Sequence, residues 1–268
     1  MFATKTKMCP TDEDAYFAGP ELFTPYYHEA HISASFTWAR ERAFELAQAW
    51  KNNADKVIIG GPAFGDPGNE FILGMYLRKG VIITSRGCPN KCPWCFVPKR
   101  SGKLRTLPII PGRILQDDNL LACPQEHIKK VFAMLKTQKQ IEFAGGLEPE
   151  RLRAWHVETL RGLKTRHIWL SYDYDTSDVY LKNAVDLLAR YFRRDQIRCY
   201  VLIGFDGDTI QKAEARLVRT WELGTLPFAM LYRDERGSMP SPAWRKFQRQ
   251  WTRPAIIKAI MGNYGKQL

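Results

Sequence analysis

From residue 81 onward, short apolar runs of period two alternate with longer segments of period 3.6. VIITS (81–85), RILQDDN (113–119), QIEFAGG (140–146), HIWLSYD (167–173), IRCYVLIGF (197–205) and LPFAMLYRD (226–234) read as six strands. PQEHIKKVFAMLK (124–136), PERLRAWHVETLRGL (149–163), SDVYLKNAVDLLARYF (177–192) and TIQKAEARLVRTWELG (209–224) read as helices between them. The punctuation agrees, with Pro124 in a first turn, Ser177 placed to cap and Gly224 placed to stop. Strands that alternate with helices predict a parallel sheet. Right-handed crossovers would wind it into a partial barrel, with reactive residues at the C-terminal strand ends.

The flanks follow other patterns. Residues 1–30 are rich in Pro, Tyr and acids and read as an irregular arm. HISASFT (31–37) alternates like a strand, ARERAFELAQAWK (39–51) spaces Ala43, Leu46, Ala47 and Trp50 as a helix, and KVIIG (56–60) reads as a buried parallel strand. Together they predict a small βαβ unit, closed by the Gly/Pro-rich junction GGPAFGDPGNEF. The tail SPAWRKFQRQWTRPAIIKAIMGNYG reads as helix in pieces, broken at Pro254. The expected division is an arm and βαβ unit over 1–80, a (βα)6 core over 81–234 and a helical extension over 235–268.

Composition excludes several classes. Of 268 residues, 45% are hydrophobic and 25% charged, which is the balance of a globular chain rather than a disordered one. No apolar run approaches the roughly 18 residues of a membrane helix, and the first residues hold no apolar leader core. A cytoplasmic protein without a membrane partner is expected. Lys and Arg number 40 against 28 Asp and Glu, a net charge of +12. That balance suits a polyanionic partner such as nucleic acid, or serves solubility alone. In the tail, Trp244, Phe247 and Trp251 alternate with Arg245, Lys246, Arg249 and Arg253, which suits base stacking, yet the aromatics also fall at the spacing of a buried helix face. Residues 98–113 form a second basic stretch, read as an extended loop.

Three of the six cysteines fall within eight residues, as Cys88-Pro-Asn-Lys-Cys92-Pro-Trp-Cys95. Such clustering points to metal binding, and Cys9, Cys123 and Cys199 read as ordinary reduced thiols. Iron–sulfur clusters are held by thiolates, usually four, so three close ligands leave one iron open for a substrate or cofactor. Zinc is the alternative, in a non-catalytic nucleic-acid-binding module, but zinc sites favour a fourth ligand that is not nearby.

With Trp94 as the aromatic before its last cysteine, the C-x3-C-x2-C motif resembles that of the radical SAM superfamily, over residues 81–234. The resemblance implies a partial (βα)6 barrel of the TIM type. It also implies a [4Fe-4S] cluster on Cys88, Cys92 and Cys95, with S-adenosylmethionine (SAM) on the open iron. A reducing donor of flavodoxin or ferredoxin type would drive cleavage of SAM to a 5′-deoxyadenosyl radical, which abstracts hydrogen from the substrate. Two segments are similar to the family's site for the SAM amino group: Asp117-Asp118-Asn119 after the second strand, and Gly145-Gly146-Leu147-Glu148 after the third. Ser171 and Asp173 match positions that hold the SAM ribose and carboxylate. Gly204 and Leu231 match the adenine-binding strands. The βαβ unit stands where related cobalamin-dependent methyltransferases carry a corrinoid domain. It is short, and no Asp-x-His-x-x-Gly supplies a histidine for cobalt, so a truncated domain without cobalamin is the expectation. No second three-cysteine set is present, which argues against a methylthiotransferase.

Overall fold

A computed structural model describes residues 1–65, 75–173 and 178–264. The βαβ unit forms as expected, from β1 (Tyr27–Ser33), α1 (Arg40–Trp50) and β2 (Ala54–Gly60), with the two strands paired in parallel. The first strand starts four residues earlier than the alternation of HISASFT suggests. Its register is set by β2, and Thr37–Ala39 tightens into a 3-10 turn before α1. The second strand is half-buried rather than buried, because among the described residues no third strand pairs with it. In the junction after it Pro62–Phe64 form a 3-10 turn, and residues 66–71 lie outside the described residues.

The remaining strands are β3 (Val81–Ile82), β4 (Ser85–Arg86), β5 (Arg105–Thr106), β6 (Ile114–Leu115), β7 (Ile141–Leu147), β8 (Thr165–Tyr172), β9 (Ile197–Ile203) and β10 (Leu226–Leu231). Six of them build one sheet in the order β10-β9-β8-β7-β6-β3, every pair parallel, so the strands stand side by side in chain order. Connecting helices are α3 (Gln125–Leu135), α4 (Ala154–Arg161), α5 (Asp178–Leu188) and α6 (Ile210–Glu222), followed by α7 (Pro242–Gln250) and α8 (Pro254–Tyr264). The expected Ser177 cap lies outside the described residues.

Two predicted strands prove shorter. The first is interrupted after Ile82, and Ser85–Arg86 turns away to pair antiparallel with Arg105–Thr106. The hairpin so formed carries the cysteine loop and a short helix, α2 (Val97–Arg100). The basic stretch 98–113 is therefore partly ordered rather than a plain loop. The second strand ends at Leu115, because Asp117–Asn119 bend out to hold that hairpin.

Helices cover one face of the sheet. Phe143, Ile168, Leu170, Ile197, Val201 and Ile203 point into a single core with Val131, Phe132, Leu160, Leu181, Leu217 and Trp251. On the opposite face Glu142, Ser171, Arg198, Tyr200 and Phe228 stay half-buried. There Trp169 stacks on Tyr200 at 4.3 Å between centroids. The tail packs by its aromatic stripe: Phe247 and Trp251 are buried and Trp244 rests against them, while Arg245, Lys246, Arg249 and Arg253 face solvent. Phe247 and Trp251 are consumed by the core, with Trp244 half-buried beside them. No described helix is long and apolar enough to cross a membrane.

Candidate active site around the cysteine loop

The loop 88–96 lies across the C-terminal ends of the parallel strands, tied to each in turn. Asp117 and Asp118, just beyond β6, do the first part. Asp117 is buried, and its Oδ1 accepts from the Thr84 N–H at 2.7 Å, Thr84 Oγ1 at 3.0 Å, Ser85 Oγ at 2.9 Å and the Ser85 N–H. Burial nonetheless pushes this carboxyl up to about 6, against those hydrogen bonds. Its Oδ2 is sealed without a partner among the described residues. Asp118 grips both ends of the loop: Oδ2 accepts from the Gly87 N–H at 2.8 Å, and Oδ1 pairs with the Arg100 guanidinium at 2.8 Å. Both acids serve the loop that carries the thiols.

The two segments that each matched a SAM amino site meet. Asn119 Nδ2 donates to Glu148 Oε2 at 2.7 Å and to Cys88 Sγ at 3.3 Å. From within the loop, Asn90 Nδ2 donates to Glu148 Oε1 at 3.0 Å, and the Asn90 N–H points at Cys88 Sγ at 3.4 Å. Arg151 Nε completes the carboxylate's surroundings at 2.6 Å. Glu148 thus turns toward Cys88 and does not cap the helical turn that follows it. The reason is a bulge in β7. Phe143 pairs with Ile168 and Leu147 with Leu170, so four steps along β7 match two along β8. The pair Gly145-Gly146 makes the bulge possible. A Cβ on Gly145 would lie 2.1 Å from the Asp117 carbonyl oxygen, and Gly146 has φ of +85°.

Farther along, Asp173 follows the end of β8 and shares a face with the half-buried Ser171. Burial pushes it up to about 6, opposed by hydrogen bonds from the Leu202 backbone and the Trp94 side chain. Trp94 also meets Phe205 edge-on at 5.7 Å, Phe205 meets Tyr232 at 4.9 Å, and Phe96 stacks on Tyr232 at 6.5 Å. The loop is thereby clamped to the ends of β9 and β10. Gly204 closes β9 with φ of +74°, its N–H donating to Asp208 at 2.8 Å, and it leaves no room beside the Leu231 side chain. Asp208 in turn is held by Arg216 at 2.7 Å, which fixes the start of α6 to the strand end.

Cys88, Cys92 and Cys95 are reduced and half-buried, whereas Cys9, Cys123 and Cys199 are buried. Burial pushes the Cys92 thiol up to about 11, with Cys95, Asp173 and Cys88 adding, and it raises Cys95 as well. The three thiols are thus near enough to sense one another. Among the described residues, however, no three His, Cys, Asp or Glu side chains converge as a metal-binding group. The loop presents the donors without a closed coordination shell. In kind the donor set suits an iron–sulfur cluster: three free thiols on one loop, two N–H groups already aimed at Cys88 Sγ, and aromatic walls against water.

Sequence reasoning missed Asn90 and Phe96, and it read Arg100 only as part of a basic stretch and Phe205 and Tyr232 only as parts of strands. Their roles at the loop depend on partners distant in the chain. Sequence reasoning placed Trp94 in the cysteine loop and Asp117, Asp118, Asn119, Gly145, Gly146, Ser171, Asp173, Gly204 and Leu231 in or just after the strands, whose C-terminal ends the sheet gathers along one edge.

No protein-family model matches the chain, and a comparison with curated proteins finds no match. A solved structure that is similar is that of a radical S-adenosylmethionine methyltransferase, TsrM, from Kitasatospora setae, with cobalamin and a [4Fe-4S] cluster bound. The TM-score is 0.58 at 11% sequence identity, over 77% of this chain and 64% of that one. The chain therefore shares its fold with that structure, and spans just under two thirds of that neighbour's length.

Proposed function

We propose that this protein is a radical SAM enzyme with a partial (βα)6 barrel over residues 81–234. One observation carries the reading: a C-x3-C-x2-C loop with free thiols lies across the C-terminal ends of six parallel strands in chain order. That is the edge on which open parallel sheets and barrels place their chemistry. In this reading Cys88, Cys92 and Cys95 hold a [4Fe-4S] cluster. Bound there together with SAM, such a cluster would supply one-electron reductive cleavage of SAM, with the electron from a flavodoxin- or ferredoxin-type donor, and so hydrogen-atom abstraction from the substrate.

The chain's own residues bind, orient and exclude water. Asp117 and Asp118 hold the loop's two roots, so the thiols keep a fixed height above the sheet. Asn119 and Glu148 flank Cys88 with an amide and a carboxylate, groups able to receive an ammonium. Ser171 and Asp173 offer hydroxyl and carboxyl oxygens to a ribose. Gly204 and Leu231 leave a flat apolar wall suited to an adenine. Trp94, Phe205 and Tyr232 shield the loop's outer end. RNA is the first substrate class to test, on the net charge of +12.

The test is anaerobic reconstitution with iron and sulfide, then dithionite and SAM, with products identified by mass spectrometry. 5′-Deoxyadenosine and methionine are expected. Replacing any one of Cys88, Cys92 or Cys95 by Ala should remove both the cluster's absorbance and SAM cleavage. Intact SAM over a colourless, zinc-bearing protein would replace this reading with that of a nucleic-acid-binding module.

A second reading, a cobalamin-dependent methyltransferase, is favoured by the neighbour, which is a methyltransferase with cobalamin bound. Against it, the βαβ unit has two paired strands among the described residues. S-Adenosylhomocysteine as product, with a corrinoid spectrum, would select it.

A further inference from the structure

The hairpin that carries the cysteine loop holds an arrangement of charge with no use in the account so far. In the β4–β5 register Arg86 stands directly opposite Arg105. Like charges placed opposite each other across an antiparallel pair repel. Arg100, on α2 at the far end of the loop, joins them, and Arg86 feels the charges of both other arginines. Of the carboxylates, Asp118 acts most strongly on Arg86, and it is already divided between Arg100 and the Gly87 N–H. Asp117 also faces this side, but its Oδ1 is taken by Thr84 and Ser85. Arg105 donates from Nη1 to the Ser101 carbonyl oxygen at 2.5 Å. Among the described residues Arg86 makes no ion pair: its Nε is sealed from solvent with no hydrogen-bond partner there, and the residue is half-buried. A buried polar nitrogen without a partner is uncommon, and a half-buried unpaired guanidinium facing two others is costly. Sequences keep such a group where a ligand answers it. Guanidinium forks match the planar pairs of oxygens on a phosphate, and three of them match its charge.

We propose that Arg86, Arg100 and Arg105 form a binding site for a phosphate group beside the cysteine loop. The ligand is a phosphorylated molecule whose phosphate docks on the hairpin. Under the catalytic reading above, this places a phosphate-bearing substrate next to the site of radical chemistry; binding itself does not depend on that reading and is measured without a cluster. The phosphate belongs either to a small phosphorylated metabolite or to a nucleic-acid backbone, and the experiment separates the two.

Apo protein is titrated with inorganic phosphate, with a single-stranded RNA oligonucleotide and with SAM, and thermal unfolding and calorimetric binding are followed. Ligand that binds only the folded state raises the midpoint in a saturable way. Wild type should be stabilised by phosphate or by the oligonucleotide. In Arg86→Gln the affinity should fall at least tenfold, while the ligand-free midpoint stays level or rises because the unpaired cation is gone. Arg249→Gln, an equal change of charge on the exposed face of α7, should keep wild-type affinity. Saturation by phosphate with no gain from the oligonucleotide identifies a small phosphorylated ligand. Tighter, Arg86-dependent binding of the oligonucleotide identifies a nucleic-acid backbone. Three results overturn the proposal: no saturable binding of either ligand, equal weakening in Arg86→Gln and Arg249→Gln, or stabilisation by SAM alone that Arg86→Gln abolishes, which would assign the trio to a carboxylate. Loss of SAM cleavage with phosphate binding intact would fault the catalytic reading and leave this site standing.

Discussion

Asp117 is the side chain on which the loop's attachment turns. Its Oδ1 gathers two N–H groups and two hydroxyls from Thr84 and Ser85, residues more than thirty positions away. Asp117→Ala leaves those donors without an acceptor in a buried place, and should cost about 2–4 kcal/mol in a denaturant melt. Asp117→Asn keeps the acceptor oxygen and removes the charge, so its loss should be much smaller. The pH dependence gives a sharper check. The folded carboxyl stands at about 6, above the ordinary 3.8. Folding therefore favours its protonated form, and that contribution, up to about 3 kcal/mol, is present below about pH 4 and lost as pH rises through 6. Asp117→Asn should abolish this decline; an unchanged profile would show that the carboxyl titrates normally in the fold. Glycines divide by the same local reasoning. Gly145→Ala drives a methyl into the Asp117 carbonyl and should unfold the β7 bulge, at about 3 kcal/mol or more. Gly207 has φ of +68° and open space around it, so Gly207→Ala should cost only the left-handed backbone penalty, about 1–2 kcal/mol.

Among the elements, α4 shows how a cap brings a titratable group into the core. His156 Nδ1 accepts the Arg153 N–H at 2.9 Å, in a capping arrangement, and the ring lies against Trp155 at 3.8 Å. Only 3% of the residue is exposed, and burial first, then the Arg153 charge, lowers its pKa to about 4. The fold favours the neutral ring, so stability falls as pH drops from 6.5 toward 4, by up to about 3 kcal/mol. This slope opposes that of Asp117 over nearly the same window. In Asp117→Asn stability should climb with pH between 4 and 6.5, and in His156→Leu it should decline; matching slopes in the two variants would refute both assignments. The hairpin is the other element with a measurable property. Asp118→Ala frees Gly87 and Arg100 at its two ends, so iron bound after reconstitution should drop several-fold while far-UV circular dichroism stays at the wild-type level.

For the whole molecule, helices on one face of an ordered parallel sheet leave the other face and one edge for chemistry. The tail completes the covered face. Trp251 is 1% exposed and Phe247 6%, both within the main core, and Trp251→Ala should cost about 3–5 kcal/mol in thermal or chemical unfolding. A tail that merely bound nucleic acid would tolerate that change. The exposed arginines on the same helices add to the positive field.

The order of strands and helices, the parallel sheet, the helical tail and the three clustered thiols were all legible in the sequence, because periodicity, capping and cysteine spacing are local properties of the chain. The same locality put Asp117, Asn119, Gly145, Asp173 and Gly204 at strand ends. What those residues do there was decided only by tertiary structure. The Asn90–Glu148 hydrogen bond spans 58 positions and the Asp117 bonds span more than thirty, and no window of sequence holds both partners. Strands that looked long, 81–85 and 113–119, were cut short because Asp117 and Asp118 spend their side chains on a neighbour rather than extending the ladder. The opposed Arg86 and Arg105 exist as a pair only once β4 and β5 align. Whether Trp244, Phe247 and Trp251 faced a base or a core was equally open from spacing, since one helical stripe serves both; burial against the sheet decided it.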